Sequence, residues 1–172
     1  PNYHVHYALK ANANPVILSH IQQAGLGADC VSGGEVQRAI DSGFPAQQIV
    51  YAGVGKSDRE ILLALQHDIF CFNVESVPEL HIINELAGKT GKTARVCLRI
   101  NPDVEAHTHT HIITGMAENK FGIALSDMMH VVEMAKELKH ISFVGLHFHI
   151  GSQITNMHDY VALCQRINEI QH

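Results

Sequence analysis

Lys10 closes an apolar run, Val5-His-Tyr-Ala-Leu-Lys10. A lysine in that place either carries its ammonium to solvent on an apolar stem or stands desolvated in a concave mouth. There its lowered pKa frees the amine to attack a carbonyl. Asp29 is an acid inside Gly27-Ala-Asp-Cys-Val31, a costly position unless a cationic lysine or the hydroxyl of a bound molecule pairs with it. Glu35 follows closely and reads equally well as the third residue of a helix capping box. Arg99, in Cys97-Leu-Arg-Ile-Asn-Pro102, can pair with Asp29 or Glu35 or donate to a bound anion. His147 and His149 lie two apart in Gly145-Leu-His-Phe-His-Ile-Gly-Ser152 and so share one face of a strand. They can ligate a metal, sit as satisfied core residues, or offer a flat surface to a ring. Ser152 and the amides around it suit a phosphate beside a strand end. His107, His109 and His111 alternate without an acid or thiol to complete a metal set, and a solvated loop is the favoured reading of them.

The elements that must position these side chains follow a repeated rhythm. Apolar runs at His4–Leu9, Ala28–Val31, Gln48–Ala52, Ile69–Val74, Ala94–Ile100 and Phe143–Ile150 read as strands. Several lack strict alternation, as parallel strands buried on both faces do. Helical patterns lie between or after them at Pro15–Ala24, Glu35–Asp41, Asp58–Gln66, Pro78–Ala87, Ser126–Leu138 and Asp159–Ile170. Ser32-Gly-Gly-Glu35, Ser57-Asp-Arg-Glu60 and Ser76-Val-Pro-Glu79 each spell a capping box, in which the glutamate reaches back to the serine amide.

Alternating strands and helices imply a parallel sheet, either doubly wound or an eight-stranded barrel. No G-x-G-x-x-G follows the first strand, which weakens the dinucleotide-binding form. A barrel would have six of its eight βα units here. In both architectures chemistry gathers where strands end, which selects Lys10, Asp29, Ser32, Gly53, Asn73, Arg99, Asn101, His149, Gly151 and Ser152. The connection from Asn101 to Ala124 breaks the rhythm, and its length points to a functional or mobile loop with Gly115 and Gly122 as flexible points.

Composition narrows the partners. The 172 residues are 46% hydrophobic and 17% charged with a net charge of -5, so no basic footprint for nucleic acid or an anionic membrane exists. No apolar run reaches the roughly 18 residues of a membrane span, and the first residues do not form a signal peptide. The start reads as chain already in progress, with an N-terminal portion expected to be missing. Cys30, Cys71, Cys97 and Cys164 form no C-x-x-C pair and read as small buried hydrophobes of a reducing cytoplasm.

Taken together, Tyr7–Asn12, Asp29–Glu35, Gly53–Lys56, Phe72–Ser76, Leu98–Asp103, Thr114–Ile123 and Gly145–Gln153 resemble the diaminopimelate decarboxylase branch of the alanine-racemase-like (fold type III) pyridoxal-phosphate enzymes. These segments run nearly end to end in the family's order. Tyr-Ala-x-Lys and His-x-Gly-Ser are shared across the group's decarboxylases. The Asn-Pro-Asp loop, Glu118-Asn-Lys-Phe-Gly122 and the Gly-Ser-Gln ending are similar to the diaminopimelate branch in particular.

The resemblance implies an α/β fold, a partial (β/α)8 TIM-type barrel over residues 1–172 that binds pyridoxal 5'-phosphate, with a C-terminal β-domain outside this chain and a homodimer as the usual assembly. It implies Lys10 as the Schiff-base lysine, His149 stacked on the cofactor ring, Ser152 on the phosphate, Asp29 near the ring hydroxyl, Ala8 beside the ring, and Arg99 and Glu35 in the same site. The activity it implies is decarboxylation of meso-2,6-diaminopimelate to L-lysine in the cytoplasm, with no metal. Alternatives are a decarboxylase or racemase of another amino acid, or a metal-dependent hydrolase using His147 and His149. The chain departs from the family at His107, Thr110 and His111. It also lacks the glycine-rich phosphate turn, the acid for the pyridine nitrogen, and the arginine, cysteine and tyrosine that the family supplies later. Alone, six of eight units would leave two open sheet edges, and the isolated chain is expected to be poorly folded and inactive.

Overall fold

A computed structural model describes residues 3–102, 121–152 and 154–171. The histidine triplet at 107, 109 and 111, Gly115, the Glu118–Lys120 segment and Gln153 lie outside the described residues. Six strands form one parallel sheet: β1 (His6–Ala8), β2 (Gly27–Cys30), β3 (Ile49–Tyr51), β4 (Cys71–Val74), β5 (Ala94–Arg99) and β6 (Ile141–His147). Helices α1 (Pro15–Gln23), α2 (Gly33–Asp41), α3 (Asp58–His67) and α4 (Val77–Lys89) connect the first five, and α5 (Met128–Glu137) and α6 (Met157–Gln171) flank β6.

Strand order decides between the two architectures that the residue patterns alone left open, in favour of the barrel that the family resemblance implies. The sheet runs β1-β2-β3-β4-β5-β6, each strand beside its successor. A doubly wound sheet reverses order at a switch point; this one never does. Same-handed crossovers without reversal put every helix on one side and curl the sheet, the construction of a partial TIM-type barrel.

The predicted elements all form, with shifted ends. Asn14 caps α1 by accepting from the Val16 amide at 2.9 Å, with Pro15 in the first turn. The three S-x-x-E signatures open α2, α3 and α4, but only Glu60 bonds its serine's amide, at 3.0 Å. Glu35 and Glu79 reach one residue further back, to the amides of Val31 (2.7 Å) and Glu75 (2.9 Å). Those carboxylates thus tie helix starts to the strand ends that line the mouth. Outward residues such as Ala28, Ile49, Phe72, Val74, Val96 and Leu98 meet Leu18, Val36, Ile61, Leu80 and Ile83 of the helices in one continuous core.

β6 departs from simple alternation. Val96 pairs with Phe143 and Cys97 with Gly145, so Val144 is an extra residue on β6. Such a bulge exchanges the two faces of a strand. Phe143, before it, and Leu146 and Phe148, after it, face α5 and α6, where they line an apolar groove of about 490 Å³. His147, paired in register with Arg99, turns to the inside of the sheet.

Candidate active site

The carboxyl ends of the strands enclose a cleft of about 240 Å³. Lys10, Asp29, Arg99, His147 and His149 all stand on its wall, with Gly53, Glu75 and Phe121 between them. The apolar groove beside β6 holds no titratable side chain. A third groove, about 830 Å³ beside α2 and α3, holds Glu60, whose carboxylate is consumed by the Gly33 amide (2.8 Å) and the Ser57 amide. The cleft is therefore where the reactive groups meet.

Lys10 does not end β1 as the sequence suggested. The strand stops at Ala8, and Lys10 sits in a 3-10 turn, Leu9–Ala11. Leu9 is fully buried and anchors the turn, while Lys10 is exposed at the cleft. Of the two readings of Lys10, the described residues give the one in which its side chain reaches solvent, at the edge of the cleft. Asp29 pairs in register with Ala8. Burial pushes its carboxyl above the usual range; Lys10 opposes that and Glu35 adds to it. No salt bridge within 4.0 Å joins Asp29 to Lys10 among the described residues.

Arg99 takes neither of the partners foreseen for it. It donates to Glu75 at 2.8 Å, both side chains nearly buried, and its guanidinium lies 5.9 Å from the centre of the Phe121 ring. Glu75 escaped the sequence reading, although Cys71 and Asn73 share its parity and place it on the inner face just past β4. Phe121 reaches the cleft because the chain returns beside β5: Ile123 bridges Ile100, and the Ile123 amide donates to the Arg99 carbonyl at 2.8 Å.

Ala8 is half-buried on β1, and Ser152 is half-buried three residues beyond His149; neither is on the cleft wall. Cys97 Sγ donates to Cys71 Sγ at 3.8 Å, and Cys71 to Asn73 Oδ1 at 3.9 Å. All four thiols are free, Cys164 being the exposed one. Among the described residues no three His, Cys, Asp or Glu side chains gather as a metal site, and no helix is long and apolar enough to cross a membrane.

His147 is held neutral. Burial, the Arg99 cation and His149 lower its pKa from 6.5 to about 4. Its Nδ1 is enclosed without a hydrogen-bond partner among the described residues. Protonation is thus easier in the unfolded chain. The stability this contributes is complete above pH 6.5 and is lost as pH falls toward 4, at no more than about 1.4 kcal/mol per pH unit. Urea midpoints of the full-length protein between pH 7 and 4 should fall less steeply in His147→Gln. An unchanged slope would show that another group carries the effect.

A sequentially wound β/α sheet that gathers an amine, a half-buried carboxylate, a guanidinium and two imidazoles at its strand ends has the architecture of a partial barrel with its reactive groups at the mouth. Residues 1–171 match the family model described as pyridoxal-dependent decarboxylase, pyridoxal binding domain, and the chain belongs to that family. It is 62% identical over 171 residues to diaminopimelate decarboxylase of Bacteroides thetaiotaomicron, covering 99% of this chain and 44% of that protein. The crystal structure of diaminopimelate decarboxylase from Helicobacter pylori complexed with L-lysine superposes with a TM-score of 0.91 at 43% identity, over 98% of this chain and 43% of that one. A lysine/ornithine decarboxylase from Vibrio vulnificus complexed with putrescine gives 0.77 at 27%, over 99% and 41%. The chain thus spans less than half the length of these relatives.

The wall fits pyridoxal phosphate: an amine for its aldehyde, cationic and imidazole donors for an anion, and a buried ring nitrogen at His147 with bonding capacity to spare.

Proposed function

We propose that the full-length protein containing this chain decarboxylates meso-2,6-diaminopimelate to L-lysine with pyridoxal 5'-phosphate. The observation that carries this is Lys10 on one cleft wall with Asp29, Arg99 and His149, in a chain of the pyridoxal-binding family. The branch is supported by the difference between 43% identity to the lysine-complexed structure and 27% to the lysine/ornithine enzyme.

When bound, pyridoxal phosphate supplies an electron sink for the carbon that loses its carboxylate. Lys10, the amine on the cleft wall, would hold the cofactor's aldehyde. Exposed at the cleft, the same nitrogen would be placed to carry a proton there. His149 on the cleft wall would offer a flat face to the cofactor ring and keep water from that side. Arg99, steadied by Glu75 at 2.8 Å, meets an anionic group of cofactor or substrate. Asp29 on the cleft wall would accept from the ring hydroxyl, and Ala8 and Ser152, which stand off that wall, would have to approach the ring and the phosphate from beside it. Pre-positioned charge is the protein's contribution.

The same reading makes residues 1–172 part of a barrel domain followed by a separate β-domain, in a cytoplasmic homodimer. Four free thiols suit a reducing compartment. Carbon dioxide release by the purified full-length protein, supplied with the cofactor and each of meso-diaminopimelate, L-lysine and L-ornithine, tests the proposal. Release from the first alone is expected. Release from ornithine instead, or racemisation without release, would assign another branch of the family.

A further inference from the structure

We infer that Lys56 is a positioning residue for this reaction, a buried ammonium that latches the loop after β3 to the end of β4 and so sets the Glu75–Arg99 pair on the cleft wall. The inference rests on the function proposed above. Lys56 follows Gly53-Val-Gly, two residues before α3, where a lysine would ordinarily reach solvent. Instead its side chain is 1% exposed. Its Nζ donates to the Gly53 carbonyl at 2.7 Å, the Asn73 carbonyl at 2.8 Å and Glu79 Oε1 at 2.6 Å. All three ammonium protons are used, and the cation lies 5.3 Å from the centre of the Tyr51 ring.

The bonds close a circuit. Glu79 Oε2 accepts from the Glu75 amide at 2.9 Å, and Glu75 Oε1 accepts from the Gly53 amide at 3.3 Å. Glu75 Oε2 takes Arg99 at 2.8 Å. Gly53 has φ +108°, and a Cβ there would lie 3.2 Å from the Val31 carbonyl oxygen, so the loop runs tight against β2. One ammonium thus gathers the ends of β3 and β4, and through Glu75 it reaches the arginine on β5. Two cations and two carboxylates balance in this circuit.

Stability alone does not call for such an arrangement, because well-packed apolar replacements of buried ion pairs are often neutral or stabilising. What apolar groups cannot do is fix Glu75 and Arg99 to a fraction of an ångström, and a 1 Å misplacement near chemistry can cost about 10²-fold in rate.

The test uses the full-length protein with Lys56→Met/Glu79→Leu, which removes both charges and leaves no unpaired carboxylate, and with Lys56→Arg, which keeps the charge without the compact three-way donor. Three quantities are read: the thermal midpoint, the dissociation constant of pyridoxal phosphate by absorbance titration of the apoprotein, and kcat and KM separately. The double variant is expected to melt below wild type, since the Gly53 and Asn73 carbonyls and the Glu75 amide lose their partners, but, at a temperature where it is folded, to bind cofactor about tenfold more weakly and lose on the order of 10–10²-fold in kcat, with KM changing less. Lys56→Arg should fall between the two. Wild-type affinity and kcat in a folded double variant would overturn the inference. If the double variant does not fold, wild-type values in Lys56→Arg would do so, and reduced affinity and kcat there would support it. A wild-type protein that binds no cofactor or releases no carbon dioxide would instead overturn the proposed function.

Discussion

Lys10→Ala in the full-length protein is expected to abolish cofactor retention and lower kcat by roughly 10²–10⁴-fold or more, with almost no loss of stability. The two halves of that expectation come from one placement. Lys10 is exposed, and its turn is held by fully buried Leu9, not by the lysine. Exposed substitutions away from caps and networks change stability by within about 0.5 kcal/mol, so the apoprotein should melt as wild type does. Yet the same side chain stands on the cleft wall with Asp29 and His149 and is the amine there able to hold an aldehyde. Arginine at position 10 would keep the charge but not that nucleophile, so Lys10→Arg should fail as completely as alanine. The measurement is cofactor absorbance after dialysis, together with the mass added by borohydride reduction, which should appear on the wild-type peptide containing Lys10 and vanish in both variants. Full retention of cofactor and turnover in Lys10→Ala would reduce position 10 to an ordinary surface lysine.

How far the site could be read in advance depended on whether a residue's role was local. Six strands and their helices were visible because apolar runs and serine–glutamate starts are written within a few residues, and the rule that chemistry sits at strand ends then selected Lys10, Asp29, Arg99 and His149. Winding came only through the family resemblance, since no short window distinguishes a sheet that keeps its order from one that reverses. Nor were the partners. Arg99 meets Glu75 because β4 and β5 are neighbours in register, a relation between distant segments. Asp29 and Glu35, the acids nearest in the argument from sequence, lie on and just after β2, which is not adjacent to β5. The inward turn of His147 rests on an extra residue at Val144. Strict alternation from Ile141 and Phe143 would have put both histidines among the helices. Lys56 drew no reading of its own, because the groups that bury it, the Gly53 and Asn73 carbonyls, Glu79 and the ring of Tyr51, are brought together only by the fold.

The ion pair on that wall carries the second large effect. Glu75→Leu should destabilise the full-length protein by about 3–5 kcal/mol, because the nearly buried Arg99 keeps its charge and loses the carboxylate 2.8 Å away. The Gly53 amide loses its acceptor in the same step. Arg99→Leu should cost a comparable amount, since Glu75 then keeps only the longer 3.3 Å bond to that amide. Joining the two substitutions removes both charges together, and the double variant should recover most of the loss, being far more stable than the two single costs would sum to. Denaturant midpoints of the four proteins give the coupling directly. Simple additivity would mean that the pair is solvated in solution and that the cleft wall is looser than its geometry implies. If the proposed function holds, recovered stability should not bring recovered activity, because Arg99, the guanidinium on the cleft wall, would be missing. A stable, cofactor-poor double variant would therefore separate what this pair does for the fold from what it does for the reaction.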